Sequence, residues 1–177
     1  MNDRMFMHKY AMLFGTYMGA FWIAKFVLFP LGLTTPFLSL LFIVLTICVP
    51  FMGFYYTKMY RDTACNGSIS FGHAWMFTLF MYMFASLLVA VAHYVYFQYI
   101  DQGYIYDTCN EQLNILAQSE VPNIDTYVNT YREALKMAAS MSAIDITMQM
   151  LSTNTFTGMF LAIPTALFVM KKKKAEQ

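Results

Sequence analysis

The stretch that decides the fold is Phe71–Ile100, FGHAWMFTLFMYMFASLLVAVAHYVYFQYI, which contains no Asp, Glu, Lys or Arg. A helix rises about 1.5 Å per residue, so this stretch is longer than the hydrocarbon core of a bilayer, which is about 30 Å thick. An uncharged apolar stretch of that length is typical of a transmembrane helix. We therefore predict that residues 71–100 cross a membrane.

The composition of the whole chain favours the same environment. Of its 177 residues, 59% are apolar and only 12% are charged, whereas soluble domains have about a quarter charged residues. The net charge of +1 gives no field that would attract nucleic acid. The three cysteines are an odd number without paired spacing, so neither a disulfide framework nor a zinc site is indicated. Lipids are the expected surroundings.

Three further apolar stretches predict the remaining spans. They lie at about 10–33, broken only by Lys25, at about 37–57, and at about 153–170. Thr35 is a candidate N-cap for the second span, and Pro36 suits its first position, where no amide donor is needed. The prediction is an all-α membrane protein in which a single domain, residues 1–177, crosses the membrane four times.

Residues 101–152, between the third and fourth spans, have a different and more acidic composition. Thr108 and Glu111 fit a capping box, which predicts a short helix ending near Gln118. Pro122 separates it from a longer amphipathic helix, whose apolar residues recur at helical spacing. Those apolar residues are Ile124, Val128, Tyr131, Leu135 and Ala138. We expect this helical segment to cap the bundle or to pack on a partner.

The Lys and Arg residues near the span ends predict the orientation, because cytoplasmic loops are enriched in them. One side receives Arg4, Lys9, Lys58, Arg61 and Lys171–Lys174, and the other receives Arg132 and Lys136. Both termini are therefore expected in the cytoplasm, with residues 101–152 on the extracytoplasmic side. The expected location is the bacterial inner membrane, as a multi-pass protein.

Four polar residues within the spans form a candidate intramembrane cluster, because counting along the helices places them at similar depth. They are Lys25, Ser86, Asn154 and Thr157. An intramembrane cation is costly and often functional, but Lys25 is also near enough to the far headgroups to snorkel. Two interpretations stay open: snorkelling or structural hydrogen bonding, and a substrate or ion site. His93 is expected to be an interfacial residue.

Two ladders of small residues mark helix faces that can approach closely. They are Ala11, Gly15 and Gly19 on the first span and Gly158, Ala162 and Ala166 on the fourth. Each ladder could pack inside one four-helix bundle or bind another subunit. The prolines at matching depth, Pro50 and Pro164, hint at a parallel internal repeat of the kind found in some transporters.

The hairpin between the second and third spans carries a family resemblance. Met59–Asp62 ends the second span with a Tyr-Arg pair, and Gly67–Ala74 reads Gly-Ser-Ile-Ser-Phe-Gly-His-Ala. This is similar to the cytoplasmic hairpin of a bacterial membrane family, domain of unknown function 4199, in which Gly-x-Ile-Ser-Phe-Gly-x-Ala opens the third helix. The four-span layout and the lysine-rich end also resemble that family.

The same hairpin is expected to form an elbow. Gly67 helps to reverse the chain, Ser70 caps the third span, Phe71 packs back under the bundle, and Gly72 permits close approach. Arg61 is expected to hold nearby carbonyls or lipid phosphates. The elbow is either structural or a docking surface for a cytoplasmic partner.

No catalytic or metal-binding motif accompanies these features. We therefore expect no enzyme activity, no metal and no cofactor, and membrane lipids rather than nucleic acid as contacts. The expected role is a non-catalytic accessory or scaffold subunit that binds another membrane protein or a second copy of itself. The resemblance suggests a glycosyltransferase of lipid-linked sugars as that partner. The alternative is a small transporter or permeability factor for a lipid or solute that uses Lys25 and Asn154.

Overall fold

The computed structural model describes residues 2–118 and 124–171. Six α-helices account for most of them: α1 Asn2–Gly32, α2 Pro36–Ala64, α3 Phe71–Val95, α4 Tyr104–Ala117, α5 Ile124–Ala139 and α6 Ala143–Val169. A π-helical turn, Tyr96–Ile100, extends α3. The described residues form no β-strand, and their only β-pairing is one isolated bridge between Ile69 and Lys171. The all-α prediction is confirmed.

In the described residues, three helical stretches are long and apolar enough to cross a membrane. They are Phe6–Gly32, Pro36–Ala64 and Phe71–Ile100. The first three predicted spans overlap them closely. α6 is not in this set, because the first half of the helix is rich in hydroxyl and amide side chains.

α3 is the central helix of the bundle. It packs against α1 and α6, and α2 packs against α1 and α6 from the other side. α3 and α6 run in opposite directions, since Ile69 pairs with Lys171 at one end while Ser86 bonds Thr155 further along. The end that holds Ile69 and Lys171 is called the elbow end below, and the end that leads into α4 is called the far end.

Both ladders of small residues pack within this bundle. A Cβ added at Gly15 would lie 2.8 Å from the carbonyl oxygen of Met81 on α3. A Cβ at Gly19 would lie 2.8 Å from the side chain of Leu88, and one at Gly158 would lie 2.7 Å from Cβ of Tyr82. The alanines of the two ladders are fully buried: Ala11, Ala162 and Ala166. The ladders therefore let α1 and α6 approach α3 and leave no ladder surface for a second subunit.

Helix starts account for most differences from the sequence predictions. Pro36 opens α2 as predicted, but the side chain of Thr35 forms no capping bond. α4 begins at Tyr104, so the capping box predicted at Thr108 is wrong: Thr108 lies inside the helix. The carboxylate of Asp101 accepts the amides of Gly103 and Ile105 instead, which fixes the earlier start.

α6 also begins earlier than predicted. It starts at Ala143 rather than near 153, behind a capping box in which Ser142 and Asp145 bond each other's backbone amides. Residues 143–152 are therefore part of the last helix and not of the intervening segment. α5 agrees with its predicted range, but Tyr131 and Ala138 of its predicted apolar face are exposed while Val128 is buried. Pro122 lies outside the described residues.

Candidate intramembrane binding site

A cavity of about 180 Å³ lies between all four long helices towards the far end of the bundle. Lys25 and Asn154 line it from α1 and α6, and His93 lines it from α3. Its remaining walls are mainly apolar: Trp22, Phe26, Phe29, Phe42, Val89 and Met150. The structure thus brings two of the four predicted cluster residues, Lys25 and Asn154, to one site.

The α1 side of the cavity follows from helical spacing. Trp22 and Phe26 are four residues apart and belong to the buried face of α1, each 7% exposed. Lys25 and Phe29 form a parallel row one step around the helix, which turns them towards α2 and α6. Because the buried row holds this side of α1 against α3, the lysine stem lies over the cavity.

The ammonium group of Lys25 has no counter-ion in the described part of the chain. The one ion pair found there joins Arg61 to Asp62 at the elbow end. The Nζ atom of Lys25 lies 5.3 Å from the ring centre of Phe42 and 6.0 Å from that of Trp22. Such cation–π contacts contribute about 0.5–2 kcal/mol, which offsets only part of the cost of holding a cation away from water. The side chain is partly buried and faces the bundle.

His93, predicted as an interfacial residue, is buried within the bundle. Its residue surface is only 3% exposed, and its ring packs edge-on against Phe26 with 4.3 Å between ring centres. Its Nδ1 atom is buried without a hydrogen-bond partner among the described residues, as is Nε1 of Trp22. Buried polar groups are usually satisfied, so two unpartnered nitrogens on residues that line one cavity mark this place as unusual.

The other two residues of the predicted cluster lie elsewhere. The Ser86 hydroxyl bonds the carbonyl of Met83 and the hydroxyl of Thr155, which links α3 to α6 without involving Lys25. Thr157 faces outwards on α6, in a shallow surface groove with Gln149 and Thr153. The four-residue cluster is therefore wrong in these two members, because depth along a helix does not specify the face.

The elbow is a compact hydrogen-bonded joint. Asn66 and Gly67 both adopt positive φ, 51° and 75°, which reverses the chain. The Ser70 hydroxyl accepts the His73 amide at the start of α3, as predicted. Arg61 donates to the carbonyl of Val169 at 3.1 Å, which agrees with its predicted contact to carbonyls and ties α2 to the end of α6.

Two elbow predictions are wrong. Phe71 stays 39% exposed rather than packing under the bundle. A Cβ at Gly72 would meet no atom of the described residues within 4 Å, so this glycine is not needed for a close contact with them. The packing comes instead from Tyr60, whose ring stacks on Phe77 with 3.9 Å between centres and whose hydroxyl bonds His73 Nε2 at 2.9 Å.

Several residues of the cavity and joint were missed by the sequence analysis. Trp22 and Phe42 carry no motif and are indistinguishable in sequence from lipid-facing aromatics. The bridge between Ile69 and Lys171 joins residues that are distant in the chain, with backbone bonds of 2.9 and 3.0 Å. Only His93 gave a usable signal, since it is the one histidine several residues inside an uncharged stretch and it is close to Lys25 in depth.

Comparison with known proteins gives the family and nothing more specific. No curated protein and no solved structure matches the chain. The family model described as protein of unknown function (DUF4199) matches residues 13–171, which include the whole cavity and the elbow. The resemblance seen at the hairpin is confirmed, and the chain belongs to the DUF4199 family.

Proposed function

We propose that the protein is a four-span, non-catalytic subunit of the bacterial inner membrane, with α6 as its fourth span. The support for α6 is its alignment with α3, an apolar helix long enough to cross a bilayer. α6 bonds α3 through Thr155 and packs Gly158 on Tyr82, and it ends beside Ile69 at the start of α3. Because α6 packs along most of the length of α3, it should lie in the membrane wherever α3 does.

The proposed orientation places the elbow end in the cytoplasm. Arg61 and Lys58 belong to that end, and Lys171 ends the described chain beside them. Arg132 and Lys136 are on α5, which packs on α4 at the other end. This asymmetry of positive charge supports cytoplasmic termini and an extracytoplasmic pair of helices, α4 and α5.

The accessory role rests on one observation, an exposed polar stripe on α6. The stripe comprises Gln149, Ser152, Thr153 and Thr157, which recur at helical spacing and are all exposed. Their side chains form no hydrogen bond with another described residue, whereas Thr147, Thr155 and Thr165 on the same helix donate to carbonyls four residues back. The stripe is therefore unsatisfied as well as exposed.

The depth of the stripe explains why it needs a partner. Thr157 lies about 18 Å along α6 from Val169, and Thr153 about 24 Å, so both are within a hydrocarbon slab that begins near Val169. Hydroxyl groups at that depth gain from hydrogen bonds to a neighbouring helix. The proposed occupant is a polar transmembrane helix of another membrane protein, and a glycosyltransferase of lipid-linked sugars is the first to test by co-expression.

The test compares stripe variants with a matched exposed threonine. The tagged full-length protein is extracted from its own membranes in mild detergent, and the mass of the complex is measured by light scattering. We expect a stoichiometric complex that is lost in Thr153→Leu/Thr157→Leu. Thr46→Leu should retain it, because Thr46 is exposed on α2 but donates to the carbonyl of Phe42. A solitary wild-type monomer, or a complex that tolerates the double substitution, contradicts the role.

The cavity favours a second candidate function, a small transporter or permeability factor for a lipid or solute. Its observation is the uncompensated Lys25 ammonium group beside Asn154 within the bundle. In vesicles that contain the purified protein, transbilayer movement of a fluorescent anionic phospholipid should require Lys25. Lys25→Met is expected to abolish the movement, and Lys58→Met, which removes an exposed lysine at the elbow end, to preserve it. Absence of movement with the wild-type protein removes this candidate.

A further inference from the structure

The cavity at Lys25 collects hydrogen-bond donors that have no use within the described chain. The indole Nε1 of Trp22 can only donate, and the Lys25 ammonium group offers up to three donors. The Asn154 amide supplies two more, and His93 Nδ1 donates in one of its tautomers. Trp22 Nε1 and His93 Nδ1 are both buried and unpartnered, on residues that are 7% and 3% exposed. The four residues line one cavity and are held in place by three packed helices, α1, α3 and α6.

The charge of the site specifies the sign of the ligand. Among the described residues that line the cavity, Lys25 is the only charged one, and none of them carries a carboxylate. A cation would be repelled there, and a neutral group would leave the ammonium charge uncompensated. An anionic group with several acceptor oxygens would compensate the charge and accept hydrogen bonds from Lys25 and Asn154.

The geometry selects among such anions. Lys25 on α1 and Asn154 on α6 offer donors from two different helices, so acceptor oxygens are needed in more than one direction. A volume of about 180 Å³ is below the 300–1,000 Å³ typical of sites for whole small molecules. We propose that the cavity binds a phosphate group, presented either by an anionic membrane lipid or as free phosphate.

The position of the cavity makes a lipid headgroup accessible to it. Along α1, Lys25 lies about 24 Å from Lys9, and along α6 Asn154 lies about 22 Å from Val169. Both distances place the cavity near the far surface of a slab about 30 Å thick. On the other side of Phe26, α1 and α3 form an apolar groove of about 550 Å³. A phosphate that enters from the far leaflet therefore reaches the donors without crossing the membrane.

The experiment uses the protein's own tryptophan as reporter. The chain has two tryptophans: Trp22 of α1, which lines the cavity, and Trp75 of α3, which does not. In full-length protein carrying Trp75→Phe, in detergent, Trp22 fluorescence is titrated with dioctanoyl phosphatidic acid. Dioctanoylglycerol is the uncharged control, octanoate is the carboxylate control, and inorganic phosphate is the free-ion arm. Calorimetry on the unmodified protein provides a second measure of binding.

We expect saturable binding of dioctanoyl phosphatidic acid that Lys25→Met weakens at least tenfold. Asn154→Leu should weaken it severalfold, and Lys58→Met should leave it unchanged. Lys25→Arg, which keeps the charge and donors, should retain most of the affinity, so that a loss in Lys25→Met is not a folding defect. Competition by inorganic phosphate identifies the free ion as a ligand, and lack of competition identifies the lipid.

Three results overturn the proposal: equal binding of dioctanoylglycerol, tighter binding of octanoate, or unchanged affinity in Lys25→Met. The inference names a ligand class for the second candidate function and is independent of the α6 partner. Phosphate binding without lipid movement removes the transporter and leaves the site. If the protein does not bind phosphate and lipid movement persists in Lys25→Met, then both the phosphate site and its role in transport are contradicted.

Discussion

Tyr82 is the residue on which the packing of the four long helices converges. Its side chain is fully buried, stacks on Trp22 with 6.0 Å between ring centres, and lies against Gly158 of α6. On the α2 side, its hydroxyl points at Gly53 and has no hydrogen-bond partner among the described residues. The glycine is therefore required for space, and the hydroxyl contributes no bond that would be lost.

Gly53→Ala should destabilise the protein, and Tyr82→Phe should reverse much of that loss. A Cβ at Gly53 would overlap the Tyr82 hydroxyl and lie 2.9 Å from Cζ, and overpacking of this kind costs about 1–3 kcal/mol. Tyr82→Phe alone should be neutral or slightly stabilising, because it removes an unpaired buried hydroxyl. The measurement is the thermal midpoint of each variant and of the double variant in detergent.

Gly72→Ala is the control for this pair. The new Cβ would meet no described residue within 4 Å, and the position lies in the first turn of α3, so the substitution should be neutral or slightly stabilising. Additive effects of Gly53→Ala and Tyr82→Phe would contradict the proposed contact. The sequence identified Gly158 as a packing residue because it belongs to a ladder of small residues. Gly53 is an isolated glycine in its span, so no residue spacing indicated that it packs against Tyr82.

Among the elements, the elbow and the end of α6 form one joint. Arg61 bonds the Val169 carbonyl and holds Asp62 at 2.7 Å, while Ile69 and Lys171 pair through two backbone bonds. The hairpin motif predicted a turn and a cap, and both are present. The motif could not predict that Val169 and Lys171 complete the joint, since they lie about 100 residues further along the chain.

Arg61→Met should loosen this joint. Hydrogen bonds from a charged donor contribute about 1.5–3 kcal/mol, so the free energy of unfolding should fall by about 2 kcal/mol. Amide hydrogen exchange at Ile69 and Lys171 should rise more than exchange in the middle of α3. Lys58→Met on the same helix is exposed and should change neither. Unchanged exchange at Ile69 in Arg61→Met would show that the bridge does not depend on the arginine.

The boundaries of the helices show where local rules conflict. Thr108 and Glu111 satisfy the capping-box pattern, yet Asp101 and the left-handed Gly103 start α4 earlier. Ser142 and Asp145 form the capping box of α6, which was missed because the start of that helix was placed near residue 153 from hydropathy alone. Local sequence patterns are compatible with several first residues for each helix, and contacts in the folded chain determine which one is used.

At the scale of the whole molecule, hydropathy predicted an all-α fold with four spans, and three of them coincide with described helices that are long and apolar enough to cross a membrane. Depth counting also placed Lys25 and Asn154 at one level, but it could not predict the helix faces. Thr157 was therefore assigned to the site from which it points away, and Trp22 was omitted. The face of each helix is decided by packing on α3, which no single segment encodes.

The central claim is that α6 is a fourth span, so that the two ends of the bundle lie on opposite sides of the membrane. The most direct test is labelling with an impermeant maleimide in intact cells whose outer membrane is permeabilised. Single cysteines are placed, in a chain without Cys48, Cys65 and Cys109, at Thr63, at Ser140, and after Gln177. Thr63 and Ser140 are both exposed, at the elbow end and just before α6. We predict that Ser140→Cys is labelled from outside, and that the other two react only after the inner membrane is opened. Labelling of Ser140→Cys and of the C-terminal cysteine from the same side would contradict the claim.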